Sequence, residues 1–393
     1  MDPRTNPFAP GAGNPPPELA GRDAVIEKAS IALDRMRNGL SSKSLMLVGL
    51  RGVGKTVLLN RMHLDAEAKG IPAVLLEAPE RRSLPALLIP NLRVALLKLD
   101  RMAAAGDRAK RALRALGGFV QGMKIRYHDV EFGLDLGIEP GVADSGDLGA
   151  DLVSLLQAVG EAAKEKNTVL VLFIDEMQYV EEAELAALIS ALHRCAQMRL
   201  PVTLVGAGLP QLVGQLGKAK SYAERLFEFS AIGPLDRVAA TLAIVVPARR
   251  AGADFDDDAV DEILRQTDSY PYFLQEWGKH SWNVATTSSV RRPDVVTATA
   301  SALAELDASF FRVRLDRLTP AEKRYLRAMA ALGPGPHRSG DIAAVLARSV
   351  ENVAPTRSNL IRKGMIYSPA HGDTAFTVPL FDAFMRRVLP DAD

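Results

Sequence analysis

A glycine-rich stretch, Gly49 to Thr56, has the spacing of a phosphate-binding loop. It reads Gly-Leu-Arg-Gly-Val-Gly-Lys-Thr and fits the pattern G-x-x-x-x-G-K-[ST] at every position. Glycines let the backbone curl so that successive N–H groups point at phosphate oxygens, while Lys55 reaches the β- and γ-phosphates and the Thr56 hydroxyl binds Mg²⁺. The alternative is a simple glycine turn, but a strand before the loop and a helix after it favour phosphate binding. The predicted nucleotide contacts of the loop are Gly49, Gly52, Gly54, Lys55, Thr56 and Val57.

Two acidic residues follow the most apolar run of the chain. Residues 168–174 are predicted to form a buried central strand, and Asp175 and Glu176 come directly after it. A carboxylate in this place holds Mg²⁺, directly or through water, which is the role predicted for Asp175. Glu176 is placed to polarise the water that attacks the γ-phosphate. The alternative is a strand that ends in two solvated acids, but an acidic pair beside a phosphate loop favours hydrolysis of ATP to ADP and phosphate.

The order of apolar runs predicts the fold that positions these residues. Short runs that read as strands alternate with helical stretches, which indicates an α/β fold with a parallel sheet and helices on both faces. Residues 117–150 differ, because glycine is dense and the side chains from Lys124 to Ile138 alternate between polar and apolar, as in an extended ribbon or hairpin. No guanine-reading Asn/Thr-Lys-x-Asp motif is present, so ATP is favoured over GTP. The predicted strands are residues 44–48, 73–77, 168–174, 201–205 and 226–232.

Composition limits the class of protein. A chain of 393 residues fits two or three domains, and its net charge of +1 means that any nucleic-acid contact requires a local basic patch. The single cysteine, Cys195, excludes an intramolecular disulfide and suits a reducing compartment. No apolar run is long enough for a membrane span, and the N-terminus lacks an apolar signal region. A cytoplasmic protein without a membrane partner is therefore expected.

Three segments together resemble AAA+ ATPases: the phosphate loop, the "FIDEMQ" segment at Phe173–Gln178 and the "LAGRD" segment at Leu19–Asp23. The similarity is to bacterial and archaeal ATPases of the origin-recognition and helicase-loader group, which grade into the STAND signalling ATPases, and it extends over residues 15–393. It implies a P-loop NTPase core, a helical lid and a C-terminal winged helix-turn-helix. The Pro- and Gly-rich N-terminal segment is either a disordered tail or ordered against the core near its end. The expected divisions are residues 1–18 for this segment, 19–233 for the core, 234–308 for the lid and 309–393 for the winged helix.

The resemblance also implies further site residues. The segment before the first helix would line the adenine pocket, and Pro271 would touch the nucleotide from the lid. Arg225 stands where AAA+ proteins place an arginine finger, which acts on a neighbouring subunit and implies a nucleotide-dependent homo-oligomer; the alternative is a surface arginine. The implied adenine contacts are Pro17, Leu19, Gly21 and Arg22.

The chain departs from the AAA+ pattern at three positions. The strand at residues 201–205 is followed by Gly206, Ala207 and Gly208, with no polar sensor residue. No arginine follows Pro271 in the lid helix, and Ser269 replaces the usual glycine. The absence of the polar sensor and of the lid arginine predicts slow hydrolysis and a switch rather than a fast motor.

The C-terminal residues predict a winged helix. Leu318 to Glu322 is a helix start with an N-cap, a proline and a capping box, and two more helices and a two-stranded hairpin follow. From residue 312 to the end, 13 Lys and Arg stand against 8 Asp and Glu, a net charge of +5. This basic character predicts contact of residues 339–378 with double-stranded DNA, so that ATP controls DNA binding or the loading of a partner on DNA. The alternative is a STAND-like signalling ATPase whose winged helix binds an unknown protein.

Overall fold

The computed structural model describes residues 1–11, 13–78, 83–102, 107–126 and 140–389, and for residues 124–126 it describes the backbone alone. At its centre is a sheet of five parallel strands in the spatial order β2-β3-β4-β1-β5. These strands are β1 (Ser44–Val48), β2 (Ala73–Glu77), β3 (Leu170–Asp175), β4 (Val202–Gly208) and β5 (Phe227–Ala231). The α/β fold class and the five predicted strands are confirmed, with β4 running on to Gly208.

The strand order brings the two sequence motifs together. The phosphate loop follows β1, Asp175 ends β3, and β4 lies between these two strands. Because the strands are parallel, their carboxyl ends share one edge of the sheet, which is where ligands bind in open α/β sheets. The residues at the end of β4 therefore separate the loop from the acidic pair.

Alternate residues of the strands enter two apolar clusters, one on each face of the sheet. In β3, Val171 and Phe173 belong to one cluster, whereas Leu172 and Ile174 belong to the other. This period of two follows from the pleat, and burial on both faces explains why the run is apolar throughout. The helices in this part of the chain are α1 (Asp23–Arg37), α2 (Lys55–Ala68), α3 (Leu84–Asp100), α4 (Arg108–Arg126), α5 (Leu148–Glu165), α6 (Glu182–Gln197), α7 (Leu212–Ala219) and α8 (Ala223–Leu226).

The glycine-dense segment is helical from residue 117 to residue 126, which includes the first three residues of the predicted ribbon, and the rest of that prediction, residues 127–138, lies outside the described residues. Helix α4 continues to its end at residue 126, and residues 127–139 lie outside the described part of the chain. A Cβ on Gly118 would lie 2.6 Å from the carbonyl oxygen of Val142, and one on Gly122 would lie 3.2 Å from an Asp151 carboxylate oxygen. These glycines therefore permit close packing instead of ending the helix, and composition alone does not separate the two uses.

Four helices and a short parallel ladder follow the sheet. The last helix continues through a π-helical turn, Asp307–Phe311, into a further short helix. The elements of this region are α9 (Arg237–Arg250), β6 (Asp254–Phe255), α10 (Asp257–Thr267), α11 (Pro271–Val284), β7 (Ser289–Val290), α12 (Arg292–Leu306) and α13 (Arg312–Asp316).

The described residues of the proline-rich N-terminal segment pack on α11. The indole Nε1 of Trp282 donates to the Asp2 carbonyl oxygen at 3.0 Å, and the Asn6 amide donates to the Lys279 carbonyl oxygen at 3.0 Å. The Phe8 ring is buried against Gly278, where an added Cβ would come within 2.6 Å of it. Of the two interpretations of this segment, the ordered one therefore agrees with the structure.

The C-terminal region contains four helices and a three-stranded antiparallel sheet of order β8-β10-β9. The predicted capping box is present, since the Glu322 carboxylate accepts from the Thr319 N–H at 2.8 Å and the Thr319 hydroxyl accepts from the Glu322 N–H. Among the described residues, no helix combines the length and the apolarity needed to cross a lipid bilayer. The elements are α14 (Pro320–Ala331), β8 (His337–Arg338), α15 (Ser339–Val345), α16 (Val350–Arg362), β9 (Ile366–Tyr367), β10 (Asp373–Phe376) and α17 (Phe381–Val388).

Candidate functional site

Each glycine of the phosphate loop is required by the local geometry. Gly52 and Gly54 have φ angles of +83° and +93°, in the left-handed region that glycine enters at little cost. At Gly49, a Cβ would lie 2.0 Å from the carbonyl oxygen of Ile232, so a side chain would displace the neighbouring backbone. Helix α2 begins at Lys55 and directs its positive end at the loop. The loop therefore has the shape and the polarity of an anion site.

The Lys55 side chain is buried and turned back over the loop. Its Nζ donates to the carbonyl oxygens of Gly49 at 3.0 Å and Leu50 at 2.8 Å. Burial lowers the pKa of the ammonium group to about 8, and the carboxylates of Glu176 and Asp175 oppose that shift. At neutral pH the group is thus mainly cationic, and it is placed to exchange loop carbonyls for charged phosphate oxygens, which are stronger acceptors.

Thr56 and Asp175 lie in contact where α2 passes the end of β3. The Thr56 hydroxyl donates to Asp175 Oδ2 at 2.6 Å, and the Glu176 N–H donates to Asp175 Oδ1 at 2.8 Å. Burial raises the pKa of the Asp175 carboxyl group, and the hydrogen bond from Thr56 opposes that rise. A hydroxyl oxygen beside a carboxylate matches the oxygen ligands that Mg²⁺ takes next to phosphates. The two side chains therefore fit the predicted metal position.

Glu176 has a backbone conformation that is unusual for a residue with a side chain. Its φ angle is +52°, immediately before a short 3₁₀ turn at Met177–Tyr179. Such strain concentrates at functional sites. The Gln178 amide donates to Glu176 Oε2, and Arg51 Nη1 lies 3.7 Å from Oε1. The carboxylate is thus held from two sides at the cavity, as a water-activating base requires.

Gln178 fills the space at the end of β4, where a polar sensor is missing from the sequence. Its Oε1 accepts from the Leu209 N–H at 2.9 Å, while its Nε2 bonds to Glu176. A Cβ on Gly208 would lie 2.9 Å from this Oε1 and 2.8 Å from the Leu212 side chain, so glycine there leaves room for the glutamine. A side chain from the turn after β3 therefore occupies the place of a side chain from β4.

We expect Gln178→Met to slow ATP turnover by about 10-fold and to change ATP affinity by less than about 2-fold. Methionine has a similar volume but cannot donate to Glu176, and one hydrogen bond to a charged group contributes about 1.5–3 kcal/mol. Steady-state phosphate release and equilibrium titration with ATP measure the two effects. Gln157→Met in α5 is the matched control, and turnover that is equal in the two variants would contradict the role given to Gln178.

A cavity of about 480 Å³ lies over the phosphate loop, in the range of small-molecule sites. Of the predicted residues outside the two motifs, Leu19, Arg22 and Pro271 line it, as does Val57 directly after the loop. The cavity is also lined by Lys55, Thr56, Glu176, Gly52 and Gly54, whereas Gly49 and Asp175 are not among its lining residues. The segment before α1, the phosphate loop and the start of α11 thus converge on one space.

Two of the predicted adenine contacts, Pro17 and Gly21, are not among the residues that line the cavity. The Pro17 carbonyl oxygen accepts from Arg250 at 3.3 Å. Gly21 has a φ of +68°, and an added Cβ would lie 2.5 Å from the Ala239 side chain, so this residue is needed for close packing. Arg22 does line the cavity, but its guanidinium donates to the carbonyl oxygens of Gly233 and Val53 and so ties the loop to the segment after β5.

Arg225 is exposed in the short helix α8 and is not among the residues that line the cavity. An arginine finger acts on the nucleotide of the neighbouring subunit, so this position is compatible with the predicted role. The role itself, and the homo-oligomer that it requires, stay predictions.

The residues that line the cavity but are absent from the prediction include an arginine of the loop and three residues from after the sheet. Arg51 occupies a variable position of the loop pattern, and Tyr272, Phe310 and Arg314 stand in no motif. The Tyr272 N–H donates to the Gly52 carbonyl oxygen at 3.2 Å, and its ring stacks on Phe310 with centroids 4.6 Å apart. In the sequence, only the aromatic residues that follow Ser269 hint at the contact of Tyr272 with the loop.

Residues 18–205 match the family model described as AAA ATPase domain, and residues 308–385 match a domain of unknown function, DUF8462. No protein of curated function matches the chain. A Walker-type ATPase of Pyrococcus abyssi has a similar structure, with a TM-score of 0.60 and 16% identity over 94% of this chain and 96% of that one. The ORC1 protein of Aeropyrum pernix, in complex with DNA, has a TM-score of 0.49 and 15% identity over 98% and 96%. RuvB of Thermotoga maritima has a TM-score of 0.45 and 16% identity over 91% and 93%.

The likeness to the Pyrococcus ATPase shows a shared fold over almost the whole length of both chains. The matched family segment starts before α1 and ends within β4, so it contains the phosphate loop and the acidic pair. The geometry of these two motifs and the family match agree. Residues 18–205 of this chain are therefore similar to AAA ATPase domains in both sequence and motif geometry.

Proposed function

We propose that this protein is an ATP-dependent switch that binds ATP with Mg²⁺ in the cavity, hydrolyses it slowly to ADP and phosphate, and transmits its nucleotide state to the C-terminal region. Lys55 and the loop N–H groups bind the phosphates, Thr56 and Asp175 hold Mg²⁺, and Glu176 accepts a proton from the attacking water. The metal ion would neutralise charge on the phosphates. The match to an AAA ATPase domain supports the proposal, as do the positions of Lys55, Thr56 and Glu176 at one cavity, with Asp175 hydrogen-bonded to Thr56.

The observation that carries the proposal is a contact between the phosphate loop and the C-terminal region. The Arg51 N–H donates to the Thr377 carbonyl oxygen at 3.1 Å, and its guanidinium donates to the Gly364 carbonyl oxygen at 3.4 Å and to the Tyr179 hydroxyl at 2.6 Å. Its Nη1 lies 3.7 Å from Glu176. One loop residue therefore touches both the proposed catalytic carboxylate and the region that follows α16.

This contact leaves the phosphate loop and the C-terminal region little room to move independently of each other. A Cβ on Gly364 would lie 2.8 Å from an Arg51 nitrogen and 3.0 Å from the Tyr179 hydroxyl, and the residue has a φ of +64°. A bound γ-phosphate competes with Glu176 for Arg51, and any displacement of Arg51 acts on the backbone at Gly364. Nucleotide state thus favours one of two positions of the C-terminal region, which is a population shift.

We propose the winged helix-turn-helix for residues 309–393, with the lid at residues 234–308, the core at residues 19–233 and the N-terminal segment at residues 1–18. The succession α14, α15 and α16, with the antiparallel sheet β8-β10-β9 beside them, supports this arrangement. Helix α16 is the element that a winged helix presents to its target. Pro355 lies inside this helix.

For the target of the winged helix, we propose a protein partner. Two cationic residues within the segment expected to contact DNA instead bind partners within the C-terminal region itself. Arg357 donates to the Thr374 hydroxyl at 2.9 Å, and Lys363 pairs with Glu322 at 2.8 Å. Val350, at the start of α16, has 44% of its surface exposed.

Double-stranded DNA is the second candidate, because Arg338, Arg348 and Arg362 are exposed and the region has a net charge of +5. Such contacts would lie within residues 339–378 and the strand directly before them. They would be electrostatic and would weaken steeply with salt.

The test is ATP turnover with and without duplex DNA at two salt concentrations, in the wild type and in the triple variant Arg338→Ala, Arg348→Ala, Arg362→Ala. We expect slow turnover that duplex DNA changes by less than about 2-fold, even at low salt. Stimulation that falls with salt and disappears in the triple variant would establish DNA as the target. A wild type without turnover under all conditions would contradict the proposed ATPase.

A further inference from the structure

A second arginine enters the cavity from the C-terminal side. Arg314 lies in α13, within the segment matched by the domain of unknown function. It lines the cavity and belongs to none of the predicted motifs. Its guanidinium carbon stands 3.9 Å from the centre of the Phe310 ring, and it donates to the Phe310 carbonyl oxygen. Burial, followed by the nearby positive charge of Arg51, lowers its pKa to about 10.

No carboxylate among the described residues forms an ion pair with Arg314. The two acids that line the cavity already have partners, since Glu176 lies beside Arg51 and Glu18 pairs with Arg250 at 3.0 Å. A largely buried guanidinium is seldom left without an anion, because its desolvation is costly. The cavity thus holds an unneutralised positive charge that an anionic ligand would complement.

The backbone before Arg314 has a rare form that turns several side chains toward the cavity. The π-helical turn Asp307–Phe311 connects α12 to α13, and Ser309, Phe310, Val313 and Arg314 line the cavity directly after or within it. Single π-helical turns occur frequently at functional sites. Arg314 lines the same cavity as Arg51, whose Nη1 lies 3.7 Å from Glu176 Oε1.

We propose that Arg314 binds the γ-phosphate of ATP within the same chain, from a segment outside the sheet and beyond the lid helices. Lys55 fixes the β- and γ-phosphates at the loop, and the terminal phosphate is the part of the nucleotide that reaches the Glu176 end. ATP then draws α13 to the phosphate loop and ADP does not, which gives the C-terminal region a direct means of distinguishing the two. This inference rests on the proposed function, because it requires ATP in the cavity.

The test is equilibrium titration with Mg²⁺-ATP and Mg²⁺-ADP in a Glu176→Gln parent, where ATP persists during the measurement. Arg314→Met keeps the length and the packing on Phe310 but removes the charge. We expect its affinity for ATP to fall about 10- to 100-fold and its affinity for ADP to change by less than about 3-fold, since one charge-assisted contact is lost. Arg312→Met, exposed on the same helix, is the matched control and should bind both nucleotides like the parent.

The ratio of the two affinities is the decisive quantity, because loss of a purely structural role of Arg314 would lower the affinities for ATP and ADP alike. Arg314→Lys, which retains charge without the planar fork, should lose several-fold of the preference for ATP and is measured in place of Arg314→Met if that variant does not fold. If Arg314→Met lowers the affinities for ATP and ADP equally, or leaves the affinity for ATP unchanged, the inference is overturned. Binding of nucleotide by the Glu176→Gln parent would still support the nucleotide site. A parent that binds neither nucleotide would overturn both.

Discussion

Lys55→Ala is expected to weaken ATP binding by about 100-fold or more. The ammonium group lies over the loop, where its Nζ donates to the Gly49 and Leu50 carbonyl oxygens. Each charge-assisted hydrogen bond to a phosphate contributes about 1.5–3 kcal/mol. Because two such bonds are lost together, the affinity for ATP falls by about 100-fold or more. Isothermal titration of the wild type and the variant with Mg²⁺-ATP measures the change.

Lys69→Ala is the matched control for this variant. Lys69 follows the same helix, α2, but lies at its far end, where it pairs with Asp34 at 2.9 Å. Its removal should leave ATP affinity unchanged. Equal affinity of the wild type and Lys55→Ala would show that the phosphates do not lie in this loop, and the assignment of the whole cavity would fail.

Glu176→Gln is expected to retain ATP binding and to lower turnover by about 100-fold or more. The glutamine keeps the shape of the side chain beside Gln178, but it cannot accept a proton from water, and general-base catalysis contributes about 10²- to 10⁴-fold. Single-turnover phosphate release gives the chemical rate, and nucleotide titration gives the affinity. The variant also loses the charge beside Arg51, so a moderate gain in ATP affinity is expected.

The control for this second variant is Glu182→Gln, an exposed acid at the start of α6 that pairs with Lys218 at 2.7 Å. It should turn over ATP at the wild-type rate. If Glu176→Gln hydrolyses ATP as fast as the control, another group activates the water, and the strained position of Glu176 has a different purpose.

The parts of the site that sequence alone predicted are those whose signal is local. The phosphate loop fixes its own shape because Gly52 and Gly54 adopt positive φ angles within a few residues of Lys55. The acidic pair is tied to β3, whose burial on both faces is visible as an uninterrupted apolar run. The phosphate loop and the acidic pair at the end of β3 therefore identify the same edge of the sheet, and no contact between residues far apart in the chain is needed to predict it.

The parts that were missed depend on residues far apart in the chain. Gln178 was visible in the segment after β3, but its role follows from the space that Gly208 leaves, and only the strand order brings these two together. Arg314 lies 259 positions after Lys55 and in no motif, so its place at the cavity results from the packing of α11 to α13 and from the π-helical turn. The glycines of α4 were likewise misread, because close packing leaves no periodic signal.

Hydrogen exchange tests most directly the claim that nucleotide state reaches the C-terminal region. The amide of Arg51 donates to Thr377, and the Thr377 amide donates to Met365 at 3.1 Å, so both report on this contact. In Glu176→Gln, we expect Mg²⁺-ATP and Mg²⁺-ADP to protect the phosphate loop alike but to give different exchange at residues 364–378. Identical exchange of residues 364–378 with ATP, with ADP and without nucleotide, while the loop is protected, would contradict the switch.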